Sequence, residues 1–460
     1  MARQASGRVR SIPMTEGSLW KNIFLFSVPL IFSQLLQVLF NMADVAVVGK
    51  FASSTALGSV GSTTTLVTLF TGYLIGMGCG VNVRVAQHLG AGQEKQTQEA
   101  VHTSLLLCTL AGLIITVLCL TMAEPMLKLL KTKDDLIDGA VLYFRIYALG
   151  MPALGIFNFG NAVLSANGDT KRPLVYLTIA GVLNVILNLF FVIVLKMNVN
   201  GVAIATVLSN AVSSVLLLRR LLHGDLVRVE IRQLRIDPAV FRKIMRIGLP
   251  AGIQGAIFSV SNIIIQSAIN SLGTIVMAAS SAAFNIEIIA YDVLNSFSQA
   301  CTTFVGQNYG AGKIDRCKKA MFLCLGEDII ASAIAIVLVL LTGKYLLAIF
   351  NNDPQVIEIG YSRLLILFGS YIFSLTYEIL SGYLRGFGIS LVPAILTLFG
   401  VCGVRIIWIN TVFPLHHTFR SIMLVYPISL ATTAVLIFIA LLIYRPSRRF
   451  AARSGEQTQA

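Results

Sequence analysis

Charge is what this chain has least of. Asp, Glu, Lys and Arg make up only 12% of its 460 residues, against about 25% in soluble domains. With 56% hydrophobic residues and a mean hydropathy of +0.81, a soluble protein with a large core is excluded. Acids are scarcer than bases, 21 against 35, for a net charge of +14. That excess does not point to nucleic acid. The basic residues lie in short loops at the ends of apolar runs, most densely from Arg219 to Arg246 with Arg228, Arg232, Arg235, Arg242 and Lys243, as membrane topology and anionic headgroups demand. The histidines (His88, His102, His223, His416 and His417) all fall at or near the ends of such runs. They form no His-Glu-x-x-His motif and no nucleophile–base or metal spacing, which argues against a membrane enzyme. The seven cysteines show no CxxC and read as buried small side chains. No cofactor is expected.

Long apolar runs are what the sequence has instead, among them Leu105–Leu120, Val175–Leu195, Ile329–Leu341 and Ala434–Tyr444. A span needs roughly 20 mostly apolar residues, and its backbone must bond within the segment. These runs are too long and too continuous for barrel strands, so the fold class is an all-α membrane protein. Twelve spans are expected, the first near 22–48 and the second near 55–82. Arg3, Arg8 and Arg10 precede an apolar stretch, but Ile23–Val48 is too long for a signal peptide and is read as a retained first span.

The chain is written twice at an offset of about 220 residues. Val85-Ala86-Gln87-His88-Leu89-Gly90-Ala91-Gly92 returns as Val305-Gly306-Gln307-Asn308-Tyr309-Gly310-Ala311-Gly312. Pro29 pairs with Pro250, Asn41 with Asn262, Tyr143 and Arg145 with Tyr361 and Arg363, Gly168 with Gly388, and Pro173 with Pro393. Six spans per half is an even number, so the repeats are parallel, related by a pseudo-twofold axis along the membrane normal, as in secondary transporters. The expected division is a tail at 1–18, a six-helix lobe at 19–222, a linker at 223–241, a second lobe at 242–445 and a tail at 446–460. Both tails are expected to be disordered and cytoplasmic, on a monomer in the cell membrane.

Polar residues inside the spans share faces. Gln34, Gln37, Asn41 and Asp44 are spaced 3, 4 and 3, on one side of the first helix. Asp44 lies roughly 30 Å along that helix at 1.5 Å per residue. An unpaired charge near mid-membrane costs about 2.5–3.5 kcal/mol on insertion scales, a cost that a proton or a bound cation relieves. Asp44 is therefore the expected ion-coupling group, with a hydrogen-bonded structural carboxylate as the alternative. Asn184 and Asn188 share a face of the fifth span, where amides also serve as interhelical glue. Ser259, Asn262, Gln266 and Asn270 copy the first stripe without its acid. Glu287, Tyr291, Asn295, Ser298 and Thr302 line the eighth span, with Asp292 on another face. Glu378 lies in the tenth, and Glu327 and Asp328 begin the apolar part of the ninth at an interfacial or pore-facing position. Arg145 and Arg363 are expected to make equivalent structural contacts. Pro29 kinks the first span and is a candidate hinge. The substrate-cavity candidates are Gln34, Gln37, Asn41, Asn262, Glu287 and Glu378.

Pro29 with Asp44-Val-Ala-Val-Val-Gly49, the two Gln-x-x-Gly-Ala-Gly loops, and Gly168-Asp169-Thr170-Lys171-Arg172-Pro173, in this order and spacing, resemble the multidrug and toxic compound extrusion (MATE) family over about 15–445. The resemblance implies an antiporter expelling organic compounds in exchange for protons or sodium, with two lobes facing across a cleft. Its DinF-like branch is nearest. That branch places a coupling site in the first lobe, on Asp44, Asn184 and Thr206 here. Asn188 stands where the pattern has Asp, which favours proton coupling, although Asp44, Asn184, Asn188 and Thr206 also offer sodium a set of oxygens. The NorM-like acidic positions fall near Phe258 and Ser374, with Glu378 one turn away. Met, aromatic and amide groups are expected to line a cavity for amphipathic cations. A flippase for lipid-linked precursors is the alternative; it would want a strongly cationic cavity and often two further spans, whereas only Arg145, Arg363 and Arg405 lie within spans here.

Overall fold

Apolar runs of this length leave the backbone no partner but itself, and the chain folds accordingly. The computed structural model describes residues 11–51, 54–130, 132–224 and 227–448, and every regular element among them is helical. The first half comprises α1 (Leu19–Phe51), α2 (Ser54–Gly90), α3 (Glu94–Leu129), α4 (Asp134–Ala148), α5 (Met151–Ala166), α6 (Lys171–Leu189) and α7 (Val199–Leu222). The second comprises α8 (Pro238–Asn270), α9 (Thr274–Gly310), α10 (Ile314–Phe350), α11 (Pro354–Gly386), α12 (Leu391–Thr397), α13 (Val404–Thr411) and α14 (Phe419–Tyr444). Two π-helical segments, Phe190–Val194 and Leu398–Gly403, extend α6 and join α12 to α13. Eleven helical stretches are each long and apolar enough to span a membrane, and α4 with α5, bent by 46°, make the twelfth. The second helix overruns its expected span and reaches Gly90.

Local signals set several helix starts. Asp237 accepts from the backbone N–H of Ala239 and Val240, with Pro238 at the first helical position, and Asp353 with Pro354 repeats the device at α11. Side chains such as Val117 and Leu341, 61% and 73% exposed, face outward where lipid would cover them.

The repeat is visible in backbone conformation. Gly92 and Gly312 turn at φ +66° and +70°, Gly168 and Gly388 at +82° and +83°, a region that glycine enters without strain. At this same end the halves interlock reciprocally. A Cβ added at Gly90 would lie 1.9 Å from the carbonyl oxygen of Gln307, and one at Gly310 would lie 1.9 Å from that of Gln87. The Gln87 amide donates to Gly386 O (2.9 Å) and the Gln307 amide to Ala166 O (2.6 Å), each satisfying a helix-end carbonyl of the opposite half. Thr303 adds a hydrogen bond to Asn82 at 2.9 Å.

From this closed end α2 runs against α8 along a seam of glycines. An added Cβ would meet Gly248 N at 2.7 Å from Gly80 and Gly252 N at 2.2 Å from Gly76. One turn on, the approach from Gly255 to Gly72 O relaxes to 3.7 Å, and a Cβ at Gly72 or Gly61 would touch nothing within 4 Å. The halves thus meet in a V, shut at the Gly-Ala-Gly turns and open toward the other end.

The expected disordered N-terminal tail is corrected within the described residues. Residues 12–17 strap the closed end. Ile12 N donates to Gly168 O (3.1 Å), while Asn308 donates to Met14 O (3.1 Å), Lys313 to Thr15 O (3.0 Å) and Arg316 to Gly17 O (3.3 Å). Met14, 1% exposed, is packed into the core of the second half, and hydrophobic burial outweighs the entropy of ordering the strap. Residues 1–10 and 449–460 of the two expected tails lie outside the described residues.

α1 bridges the halves. Ile23, Phe26 and Leu30 join the second-half core, with Phe26 edge-on to Phe304 at 5.5 Å. Further along, Phe40 packs onto Gly181 of α6. Pro29 lies at this transition, buried, and its carbonyl accepts from Ser33 (2.9 Å).

Candidate functional site

The polar face of α1 begins at the junction of the halves and ends inside the first. Gln34 reaches Ser296 of α9 at 3.4 Å. Gln37, Asn41 and Asp44 line a cavity of about 360 Å³ enclosed by α1, α2, α4, α5, α6 and α7. Asp44 Oδ1 accepts from Asn188 Nδ2 at 2.5 Å. Asn188 also donates to Asn184 Oδ1 (3.1 Å), Asn184 donates to Thr206 Oγ1 (3.3 Å), and Thr206 donates to Val202 O (3.0 Å). A single ladder of hydrogen bonds therefore runs from α7 through α6 to the acid on α1. Asn184 and Asn188 meet both neighbours because i and i+4 share a helix face. Asn188 is fully buried, and its Oδ1 has no hydrogen-bond partner. No basic side chain pairs with Asp44 among the described residues, and no cluster of three metal-ligating acids, histidines or cysteines occurs among them.

The structure brings Asp44, Asn184, Asn188 and Thr206 together and disperses the second-half candidates. Glu287 forms an ion pair with Arg363 at 2.9 Å, and Arg363 also donates to Ser280. Glu378, buried, accepts from Tyr291 at 3.4 Å. Asn262 accepts from Arg405 at 3.1 Å. The expected equivalence of Arg145 and Arg363 fails: Arg363 is 2% exposed, whereas Arg145 is exposed. Glu327 and Asp328 are buried at 3% and 0% exposure, so they are core groups and not interfacial ones.

Sequence reasoning missed much of the cavity wall. Thr64, Thr68 and Thr71 line it from α2, Tyr143 and Tyr147 from α4, and Asn158 and Asn210 from α5 and α7. The threonines had a signal, spacing i, i+4, i+7 on one face. The tyrosines had one too, since i and i+4 share a helix face, and they stack at 6.0 Å. Methionine, expected in a substrate cavity, is absent from this lining.

Two six-span halves, shut together at one end and apart at the other, with a cavity inside the first half that holds an acid and amides, have the architecture of a membrane transporter. Comparison with known proteins gives the lineage. Residues 29–190 and 250–409 both match the MatE family, one match in each half, and the chain belongs to that family. The probable multidrug resistance protein YoeA of Bacillus subtilis is 27% identical over 436 residues, covering 92% of this chain and 94% of that one. An FAD transporter of Shewanella oneidensis is 25% identical over 327 residues, covering 69% and 72%. A solved structure described as an outward-facing multidrug resistance MATE family transporter of the MOP superfamily superposes with a TM-score of 0.88 at 21% identity, covering 97% and 99% of the two chains. That likeness speaks to the fold alone.

Proposed function

We propose that the protein exports organic compounds in exchange for protons, with Asp44 as the group that carries the ion, in the manner of the DinF-like branch. The setting of Asp44 is the observation that supports this reading. It is an acid within a span, with an amide as its partner and no basic neighbour among the described residues. An amide serves both charge states. Ionised, Asp44 accepts the Asn188 N–H. Protonated, it can donate its O–H to Asn188 Oδ1 after a half-turn of the amide, which gives that buried, partnerless oxygen a bond. An arginine partner would fix the charge instead. Asn188 presents nitrogen to the carboxylate, an arrangement that favours a proton over sodium.

Loss of the charge frees α1 to repack along α6, and α1 carries that change past Pro29 into the second-half core. Each charge moved across 100 mV is worth about 2.3 kcal/mol, so one or two protons sustain a tenfold or larger substrate gradient. The closed end carries the basic linker and loops, so the positive-inside rule places it and both termini in the cytoplasm, with this conformer open outward. Amphipathic organic substrates, cations among them, fit the polar, aromatic-lined cavity and the name of the Bacillus relative. Uptake of an added fluorescent cationic dye into everted vesicles provides the test. Wild type should accumulate dye when a proton gradient is imposed and Asp44→Asn should not; gradient-dependent accumulation by Asp44→Asn at the wild-type rate would refute the assignment.

A further inference from the structure

The second half holds a buried cation that none of its acids neutralises. Arg405, 2% exposed, donates through Nε to Ser429 Oγ (3.3 Å) and through Nη1 to Asn262 Oδ1 (3.1 Å). It lies over the rings of Tyr426 and Phe258 at 4.5 and 5.5 Å. Every one of these partners is neutral, and Nη2 makes no hydrogen bond with any described residue. Arg363 lies over the same Tyr426 ring at 5.7 Å, but Glu287 holds its charge at 2.9 Å. Arg363 therefore has a carboxylate partner and Arg405 has none among the described residues, although an unmatched buried charge is costly.

Asn262 links Arg405 to the face of α8 that meets α2. Gly248, Gly252, Gly255, Ser259 and Asn262 follow spacings of 4, 3, 4 and 3, which is one face of α8. The first two of these glycines press against α2, and Gly255 marks where the helices begin to part. Asn262, half-buried, is two turns further on along that face, and behind it Arg405 donates Nη1 to its Oδ1. The π segment Leu398–Gly403 ends two residues before Arg405, and such segments are frequent at functional sites. At the repeat offset that pairs Pro173 with Pro393, Arg405 corresponds to Val185, the neighbour of Asn184. The second half thus carries a base next to the equivalent of Asn184, the amide that belongs to the Asp44 ladder in the first half.

We propose that Arg405, with Asn262 and the Tyr426 ring, binds the carboxylate or phosphate group of the transported molecule, so that the substrates include amphipathic zwitterions and organic acids. A guanidinium matches such oxygens with paired N–H donors, and Tyr426 braces its plane. This rests on the exporter reading given above, but it is testable by binding alone. Rhodamine B, whose carboxylate is free, and its ethyl ester differ in that group only. Titrated against the purified protein in detergent, wild type should bind the acid about tenfold more tightly than the ester, a difference of about 1.4 kcal/mol. Arg405→Gln should abolish that preference while leaving ester affinity unchanged, and Arg405→Lys should retain part of it. Equal affinity of wild type for both dyes, or a preference that survives Arg405→Gln, would overturn the proposal. So would a loss of acid and ester binding alike in Arg405→Gln when Arg405→Lys shows the same loss, because the residue would then be structural. Failure of the exporter reading would show separately, as absence of gradient-driven uptake of either dye into vesicles of the wild-type protein.

Discussion

Gly90→Ala should prise open the closed end. The added Cβ would lie 1.9 Å from Gln307 O and 2.7 Å from Gln307 C, where relaxed contact needs about 3.5 Å. The obstacle is backbone at the end of α9, so no rotamer change relieves it; α2 and α9 must separate by about 1.5 Å or the substitution must be accommodated as strain. Overpacking of this kind costs about 1–3 kcal/mol, which lowers the population of the closed end between about fivefold and about 150-fold. The reciprocal geometry makes a second demand: Gly310→Ala meets Gln87 O at the same 1.9 Å and should have the same effect. Gly61→Ala and Gly72→Ala, also on α2, meet nothing within 4 Å and should have none. Spin labels at Lys95→Cys and Lys319→Cys, both exposed near this end, report the separation of the halves by double electron–electron resonance. A longer distance and at least a fivefold drop in export are expected for both seam variants. Wild-type distance and rate in Gly90→Ala, or opposite behaviour of Gly90→Ala and Gly310→Ala, would refute the seam as a gate.

Two further outcomes follow from the same geometry. Arg363→Ala strands Glu287 in the second half, and breaking a pair this buried costs about 3–5 kcal/mol; the thermal midpoint in detergent should fall by several degrees, whereas Lys344→Ala, from the exposed pair with Glu358 at 2.6 Å, should leave it unchanged. Met14→Ala empties a pocket in the second-half core, a change worth about 2–5 kcal/mol for a buried side chain, and should lengthen the same inter-label distance as Gly90→Ala, while an unchanged distance would show that the strap does not clamp the halves.

The sequence made the spans, the repeat and the hydrogen-bond ladder at Asp44 legible for definite reasons. Span length follows from bilayer thickness, so hydropathy alone locates the helices. The ladder was visible because its members repeat at i, i+4 on α6 and at 3, 4, 3 on α1, and because a charge in a span has few bland explanations. What stayed hidden depends on contacts between distant segments. Nothing in Met14 or its neighbours distinguishes a strap from a polar tail, since its pocket is assembled from α9, α10 and α11. Glu287 looked like a substrate ligand until Arg363, 76 residues on, proved to face it. Arg405 looked like a lone cation within a span; only the fold shows that its partners are Asn262, Ser429 and two rings.

The two halves have kept their mechanics alike and let their chemistry diverge. Where they press together the contacts are reciprocal: Gly90 meets Gln307 as Gly310 meets Gln87. A gate made of two identical half-contacts on a twofold axis opens by a rigid rotation that breaks both at once, so drift in either half would spoil it. Around Asp44 no such constraint holds. At the offset of Asn41 and Asn262, Asp44 corresponds to Ile265, and at that of Pro173 and Pro393, Asn188 corresponds to Trp408. An acid with an amide ladder in one half thus faces apolar groups and an unmatched arginine in the other. That division is physically economical. A second acid at the equivalent place, Ile265, would add a desolvation cost of about 2.5–3.5 kcal/mol and would have to titrate together with Asp44 to bias a single rotation. In the proposed mechanism Asp44, on a helix that packs into both halves, changes the balance of the whole seam with a single proton.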